Sequence, residues 1–436
     1  MIEPRTLPGF MELLPEDQIK FNSMIDKIRK SYEKFGFLPI DTPIIEMSDV
    51  LLAKAGGETE KQIYRFNKGE NDLALRFDLT VPLAKYVCEY FNDITFPFKR
   101  YQIGKVYRGE RPQKGRYREF YQCDIDIIGD GSLSIMNDAE MPSVIYTTIK
   151  ELGFDKFTIR INNRKLLNGL FAELELTEKS TDIMRIIDKL EKIGKENVIK
   201  CLQDLDVPNE KIESIIKFIE IDGNNDEKIK ALEELQFSNE TFIQGLNDIK
   251  DVVKYVRFFG VPESNFKVDL TIARGLDYYT GTVYETFLDD YREIGSVCSG
   301  GRYDNLAEFY TDRKLPGVGV SIGLTRLFYK LNELNIVKEE EQSISKVLVV
   351  SMDQKYQNRA LEVADSLRKA GINTDVYLED KKIKAKFKYA DKLKIPYVAV
   401  IGESEAEHGT VSLKNMISGE QEELSVEGVI AKIKKF

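Results

Sequence analysis

The chain is almost without histidine. Of its 436 residues one, His408, is a histidine, set in "EAEHGT" near the C-terminus in what reads as a surface turn. Schemes in which an imidazole activates a serine or cysteine need a histidine beside the other site residues. Histidine-based zinc centres need at least two. If the chain is an enzyme, its chemistry must run on Arg, Asp, Glu, Tyr and backbone groups. Cysteine is also scarce: Cys88, Cys123, Cys201 and Cys298 are far apart and form no CxxC pair. Zinc ribbons and dithiol redox motifs are therefore excluded, and a reducing, cytoplasmic setting fits. No run of about 18 apolar residues is present, so no membrane span is expected. The opening "MIEPRTLPGF" has no apolar stretch of the kind a secretory signal requires. There is no GxxxxGK[ST] loop, and the glycines of "PGVGVSIGLTRL" follow GxGxxxG, not the dinucleotide-binding GxGxxG.

The length and an apolar fraction of 42% leave room for several domains with sizeable cores. The net charge of −10 argues against one uniformly basic surface but leaves local basic patches open. Residues 15–35 have the apolar spacing of an amphipathic helix. "FGFLPIDTPIIE" reads as extended, because each proline disfavours helix in the residue before it. Residues 98–108 and 118–129 read as strands joined by "GERPQKGRY". Charged helical segments fill 165–260. After "NIVKEEEQSIS" the pattern becomes β-α-β-α-β, a small α/β domain. Residues 346–436 carry a net +2, leaving −12 on the rest of the chain. In "KKIKAKFKYADKLK", Ile383, Phe387, Ala390 and Leu393 are expected on one face and Lys381, Lys384, Lys388 and Lys392 on another. That lysine stripe suits either a solvated face or a phosphate-contacting one.

Five stretches can carry chemistry. In "YREFYQCDIDIIG" the odd positions Tyr121, Cys123, Ile125 and Ile127 make an apolar strand face, and Gln122, Asp124 and Asp126 a polar one. The adjoining loop holds Arg111, Lys114, Arg116 and Arg118, with Arg108 ending the strand before it. Cations opposed to carboxylates across one hairpin suit a ligand with phosphate at one end and ammonium at the other. "RFDLT" adds Asp78 and Thr80, a weak signal because both residue types cap helices. "GSVCSGGRYDNL" is expected to turn at Gly300-Gly301, with Arg302 and Tyr303 opening a helix. "PGVGVSIGLTRLFYKL" reads as a glycine-lined passage from strand to helix, with Arg326 on the first helical turns. "ARGLDYYTGTVYE" sets Arg274, Asp277, Tyr278 and Tyr279 between two glycines, as a core corner, a stacking platform or a pocket for a small polar ligand.

Together these stretches resemble the class II aminoacyl-tRNA synthetases, and among them the histidyl family. "FGFLPIDTPIIE", with Pro43, is similar to motif 1, "RGERPQKGRYREFYQCDID" to motif 2, and "GVGVSIGLTRL", with Arg326, to motif 3. "RGLDYYTG" and "SGGRYD" resemble the two histidyl signatures, and the likeness runs nearly end to end. It implies an α+β catalytic core whose antiparallel β-sheet is flanked by helices, over 1–165 and 263–334. It further implies a helical insertion over 166–262, a linker over 335–345 and an anticodon-binding α/β domain over 346–436. It implies a homodimer, L-histidine and ATP as substrates with Mg2+, and transfer of histidine to tRNA(His). By the resemblance, Arg108 and Arg274 are catalytic, at the substrate carboxylate and α-phosphate. Asp78, Thr80 and Gln122 receive the ammonium of histidine, and Leu79 is also at the histidine site. Asp126, Tyr278 and Tyr279 line the imidazole pocket, with Tyr303 nearby. Glu110, Arg116 and Arg326 join Arg108 on ATP, and Arg111, Gln113 and Arg118 face the tRNA acceptor end. The chain departs from many bacterial members at Phe77 and Asp78, which stand for Pro and Glu, and at Thr325, which stands for Glu. A non-catalytic relative, the regulatory subunit of ATP phosphoribosyltransferase, is the alternative; it shares the core but generally lacks the anticodon domain.

Overall fold

Two ten-residue strands, Phe98–Tyr107 and Glu119–Ile128, form the antiparallel hairpin expected from their alternation. They belong to an eight-stranded sheet. Its order is Leu38–Pro39, Phe98–Tyr107, Glu119–Ile128, Gly317–Gly323, Cys298–Tyr303, Thr282–Leu288, Phe157–Asn163 and Phe266–Val268. The first and last pairs are parallel and the five between them antiparallel. The computed structural model describes residues 1–52, 58–111, 117–272, 278–305, 307–336 and 343–435. The chain divides into two units, Met1–Glu12 with Met24–Ile336 and Leu13–Ser23 with Val337–Phe436.

The two-residue strand period gives the sheet two faces. Cys123, Ile125 and Ile127 lie in register with Ile322, Val320 and Val318, all buried. Helix Met136–Glu151 packs on this side, where Thr282 Oγ1 donates to Asp138 Oδ2 at 2.8 Å and Tyr284 OH to the Asp138 carbonyl at 2.7 Å. On the opposite face, one row across four strands reads Arg100, Asp126, Gly319, Gly301, and the next reads Gln102, Asp124, Ser321, Ser299. Asp124 and Asp126 are buried as deeply as the apolar side chains behind them. This polar row is therefore not a solvated surface.

"SGGRYD" does not turn into a helix as expected; Cys298–Tyr303 is a strand. Its glycines serve close approach, not a turn. A Cβ on Gly300 would lie 2.1 Å from the Gly319 carbonyl oxygen, and one on Gly301 2.7 Å from that of Thr282. Alternation then sends Arg302 to the helix-covered face and Tyr303 to the polar one.

Seven α-helices run from Arg164 to Phe258, between strands Phe157–Asn163 and Phe266–Val268. Asparagines open three of them: the Asn163, Asn224 and Asn239 side chains accept backbone N–H groups of the first turn. Glycines let Arg164–Glu173 and Glu240–Phe258 meet closely, since a Cβ on Gly169 would lie 2.5 Å from that of Phe242. In the second unit, strands Thr374–Val376, Val347–Ser351 and Tyr397–Ile401 pair in parallel, and Thr410–Asn415 and Gln421–Ser425 continue the sheet antiparallel. Apolar clusters cover both faces, so Val347–Ser351 is buried throughout. Helix Ile383–Lys392 seats Ala390 in one cluster with Ile383 and Phe387 against it. Leu393 falls past the helix end and is exposed, contrary to expectation. Lys381, Lys384, Lys388 and Lys392 are exposed, while Lys386 turns inward and donates to the Ser351 carbonyl at 2.8 Å. His408 is exposed as the last residue of helix Glu403–His408. Among the described residues no helix is long and apolar enough to cross a membrane.

Candidate active site

Asp126 is gripped from both sides. Arg100, fully buried, brings Nη2 within 2.6 Å of Asp126 Oδ2, and Tyr303 OH donates to Oδ1 at 2.7 Å. The Arg100 pairing follows from register, since the two residues are direct cross-strand neighbours. Beyond Asp126 in the same row are only glycines. A Cβ on Gly319 would lie 2.1 Å from Asp126 Oδ1, so this position admits no side chain. Burial pushes the Asp126 carboxyl up to about 6, against the opposing pull of Arg100 and the Tyr303 hydroxyl.

The neighbouring row is less completely paired. Gln122 Nε2 donates to Ser321 Oγ at 2.8 Å, and the Ser321 hydroxyl bonds the Asp124 carboxylate. Burial pushes Asp124 up to about 7, again opposed by the charge of Arg100. Asp124 Oδ1, Gln102 Oε1, Gln122 Oε1 and the Nε and Nη1 of Arg100 are buried without a hydrogen-bond partner among the described residues.

Tyr278, Tyr279 and Tyr303 form the wall above these rows. The Tyr278 ring stands edge-on to Tyr279 (4.9 Å, 70°) and to Tyr303 (6.0 Å, 89°), the arrangement ring quadrupoles favour. The loop carrying them is pinned from several sides. Arg164 Nη1 donates to the Tyr279 carbonyl at 2.9 Å, Thr280 N to the Arg302 carbonyl at 2.8 Å, and Thr280 Oγ1 to Asp304 Oδ2 at 2.5 Å. Arg302 is itself anchored by Asp138 Oδ1 at 2.8 Å and the Leu133 carbonyl at 2.7 Å. Each residue of "GRYD" thus has a distinct task in holding the wall. Between wall and sheet lies a cavity of about 220 Å³, lined by Thr80, Asp124, Asp126 and the three tyrosines over the backbone of 319–321. A recess with carboxylates on its floor and three aromatic rings on its wall suits a small polar ligand with a ring.

Arg108 follows directly on its strand, with the guanidinium over the rings of Phe77 (4.3 Å) and Phe120 (5.1 Å), and its Nε donates to the Phe77 carbonyl at 3.3 Å. Phe77, a departure from the bacterial pattern, thereby supplies one of these two rings. Burial lowers the Arg108 pKa, while the charges of Asp78 and Glu110 oppose that shift. Asp78 does cap a helix: its Oδ1 accepts from Thr80 N (3.0 Å) and Val81 N (2.9 Å) at the start of Thr80–Glu89. The Leu79 carbonyl accepts from Arg100 Nη2 at 3.3 Å, tying this turn to the sheet.

Asp78, Leu79, Thr80, Arg108, Gln122, Asp126, Tyr278, Tyr279 and Tyr303 thus gather at one sheet face. Arg111, Arg118 and Arg326 are not among the cavity-lining residues. Arg118 donates to the Glu110 carbonyl at 2.9 Å, Arg111 is exposed, and exposed Arg326 donates to the Ile294 carbonyl at 2.8 Å. Thr325, the other departure, is buried and accepts from Tyr121 N at 2.8 Å, a structural use of the position. Arg274, Arg116 and Gln113 lie outside the described residues. Sequence reasoning missed Arg100, Arg164 and Asp138 altogether. Arg100 was legible only through the hairpin register, and the other two carry no local signal.

A family model described as "Histidyl-tRNA synthetase" matches residues 9–327, and one described as "Anticodon binding domain" matches 346–436. The chain is 61% identical to a histidine–tRNA ligase of Clostridium tetani, over 100% of this chain and 99% of the relative. It is 51% identical to the one of Finegoldia magna, over the whole of both. Among solved structures, histidyl-tRNA synthetase from Nostoc sp. PCC 7120 superposes with a TM-score of 0.93 at 40% identity, covering both chains completely.

Proposed function

The chain belongs to the histidyl-tRNA synthetase family and joins histidine to tRNA at the expense of ATP, and we propose that the cavity above Asp126 is its histidine pocket. A regulatory, non-catalytic role is not favoured, because full-length relatives at this identity are ligases. The observation that carries the pocket assignment is Asp126 itself, a carboxylate held by Arg100 and Tyr303 at the floor of an aromatic cavity. Asp126, Tyr278, Tyr279 and Tyr303 surround the imidazole. Asp78, Thr80 and Gln122 receive the ammonium, and Leu79 also contributes to the histidine site.

In the first step a carboxylate oxygen of histidine attacks the α-phosphorus of ATP and pyrophosphate leaves. In the second the terminal adenosine hydroxyl of the tRNA attacks the acyl carbon and AMP leaves. The first step brings two anions together, so fixed cations at the α-phosphoryl oxygens supply most of the acceleration. Arg108, set over two rings and charged at any working pH, fills this role with Arg274. Glu110, Arg116 and Arg326 contact the remainder of ATP, and Arg111, Gln113 and Arg118 the acceptor end. The described residues hold no cluster of three or more metal-ligating side chains. Glu110 would help to hold Mg2+, which would neutralise phosphate charge. The domain division is 1–165 with 263–334 as catalytic core, 166–262 as insertion, 335–345 as linker and 346–436 as anticodon reader. The enzyme is a cytoplasmic homodimer, paired through the catalytic core. Histidine-dependent ATP–pyrophosphate exchange tests the pocket. Asp126→Asn should raise the KM for histidine about tenfold or more, the worth of a hydrogen bond to a charged group, with little change for ATP. Equal shifts for both substrates would overturn the assignment.

A further inference from the structure

We infer that Asp124 is a second specificity-determining carboxylate of the histidine pocket, its Oδ1 accepting a hydrogen bond from a ring N–H of the bound amino acid. This rests on the assignment of the cavity to histidine. Asp124 and Asp126 are two residues apart on one strand and line the same cavity. The two carboxylates differ in what remains open on them. Asp126 has both oxygens engaged, one by Tyr303 and one by Arg100. Asp124 is bonded by Ser321, yet its Oδ1 is buried with no partner among the described residues. A buried carboxylate oxygen left without a donor is costly, and such atoms are rare unless a ligand or water completes them.

The surroundings single out a ring N–H as the missing donor. Ser321 already accepts from Gln122, so its own proton is turned to Asp124 and not to the cavity. The Tyr278 hydroxyl is hydrogen-bonded to Thr80, and that of Tyr279 to Tyr278. Arg100 pairs with Asp126, and its charge also favours the ionised form of Asp124. An amino acid whose ring lacks N–H would leave Asp124 Oδ1 unpaired. Sites built this way reject such analogues far more strongly than size alone allows.

The test is ATP–pyrophosphate exchange with histidine and with 3-(2-thienyl)alanine, whose ring is of similar size but has no N–H. Asp124→Asn should raise the KM for histidine about 10- to 100-fold. The kcat/KM ratio of histidine to thienylalanine should fall at least about tenfold, because only histidine loses the contact. Equal losses for both amino acids would mean that Asp124 merely shapes the pocket and would overturn the inference. An unchanged KM would overturn it as well, and would assign Oδ1 to a buried water. Asp126→Asn run alongside separates the two claims: if it too leaves histidine unaffected, the pocket assignment itself fails. Circular dichroism follows folding, and Asp124→Ser replaces the Asn variant should that one not fold.

Discussion

Replacing Arg100 by methionine removes the charge and keeps the length of the side chain. The Arg100–Asp126 pair is 2.6 Å apart with side-chain exposures of 0% and 4%. At an effective dielectric of about 20 the gross attraction is roughly 6 kcal/mol. Desolvation of the two ions offsets much of it, and Arg100 also hides Nε and Nη1 without partners. Removing one member leaves Asp126 buried and unpaired, which costs about 3–5 kcal/mol. Removing both charges, in Arg100→Met with Asp126→Asn, should recover about 2–3 kcal/mol of that loss. Urea unfolding of the four proteins, followed by circular dichroism at one pH, measures the cycle. There is a second readout. Without its cation, Asp126 rises from about 6 and is protonated at neutral pH. The KM for histidine should therefore be raised at pH 7 and partly restored by pH 9. A loss below about 1 kcal/mol for Arg100→Met, or additivity within about 0.5 kcal/mol, would refute the view that this pair is energetically coupled.

Three further outcomes are expected. Gly319→Ala places a Cβ 2.1 Å from Asp126 Oδ1 and 2.6 Å from the Ile125 carbonyl oxygen. It should cost about 1–3 kcal/mol and abolish measurable saturation by histidine in exchange; normal saturation would show that the row has slack. Asp124 titrates at about 7 in the fold and near 3.9 unfolded, so its contribution to stability is full below pH about 3.9 and lost as pH rises through 7. Between pH 4.5 and 8, Asp124→Asn should therefore gain stability relative to the parent by up to about 3 kcal/mol, read from urea midpoints, and parallel curves would contradict the shift. Lys384→Glu with Lys388→Glu and Lys392→Glu reverses an exposed stripe in the unit that matches anticodon-binding domains. Charging of tRNA should fall about tenfold or more while histidine-dependent exchange is unchanged, and equal charging would remove the stripe from the tRNA interface.

Much of this molecule is visible along the chain because it depends on near neighbours. Alternation in "YQCDIDIIG" was enough to put Gln122, Asp124 and Asp126 on one face, since a strand has period two whatever it pairs with. Apolar spacing over 15–35 announced the helix Pro15–Lys34. The scarcity of histidine confined the chemistry to arginines, carboxylates and tyrosines before any fold was known. "SGGRYD" misled because two consecutive glycines signal a turn locally, whereas here they make room for the Gly319 carbonyl and the Tyr279 ring. That need exists only once strands distant in sequence lie side by side. The same is true of Arg100. Twenty-six residues separate it from Asp126, and a slip of one residue in the hairpin would turn it to the other face. Residue types and their periods were properties of the sequence alone. Which carboxylate pairs with Arg100, and which keeps a buried oxygen with no partner among the described residues, was decided by strand register and burial, because both depend on long-range pairing that no local pattern encodes.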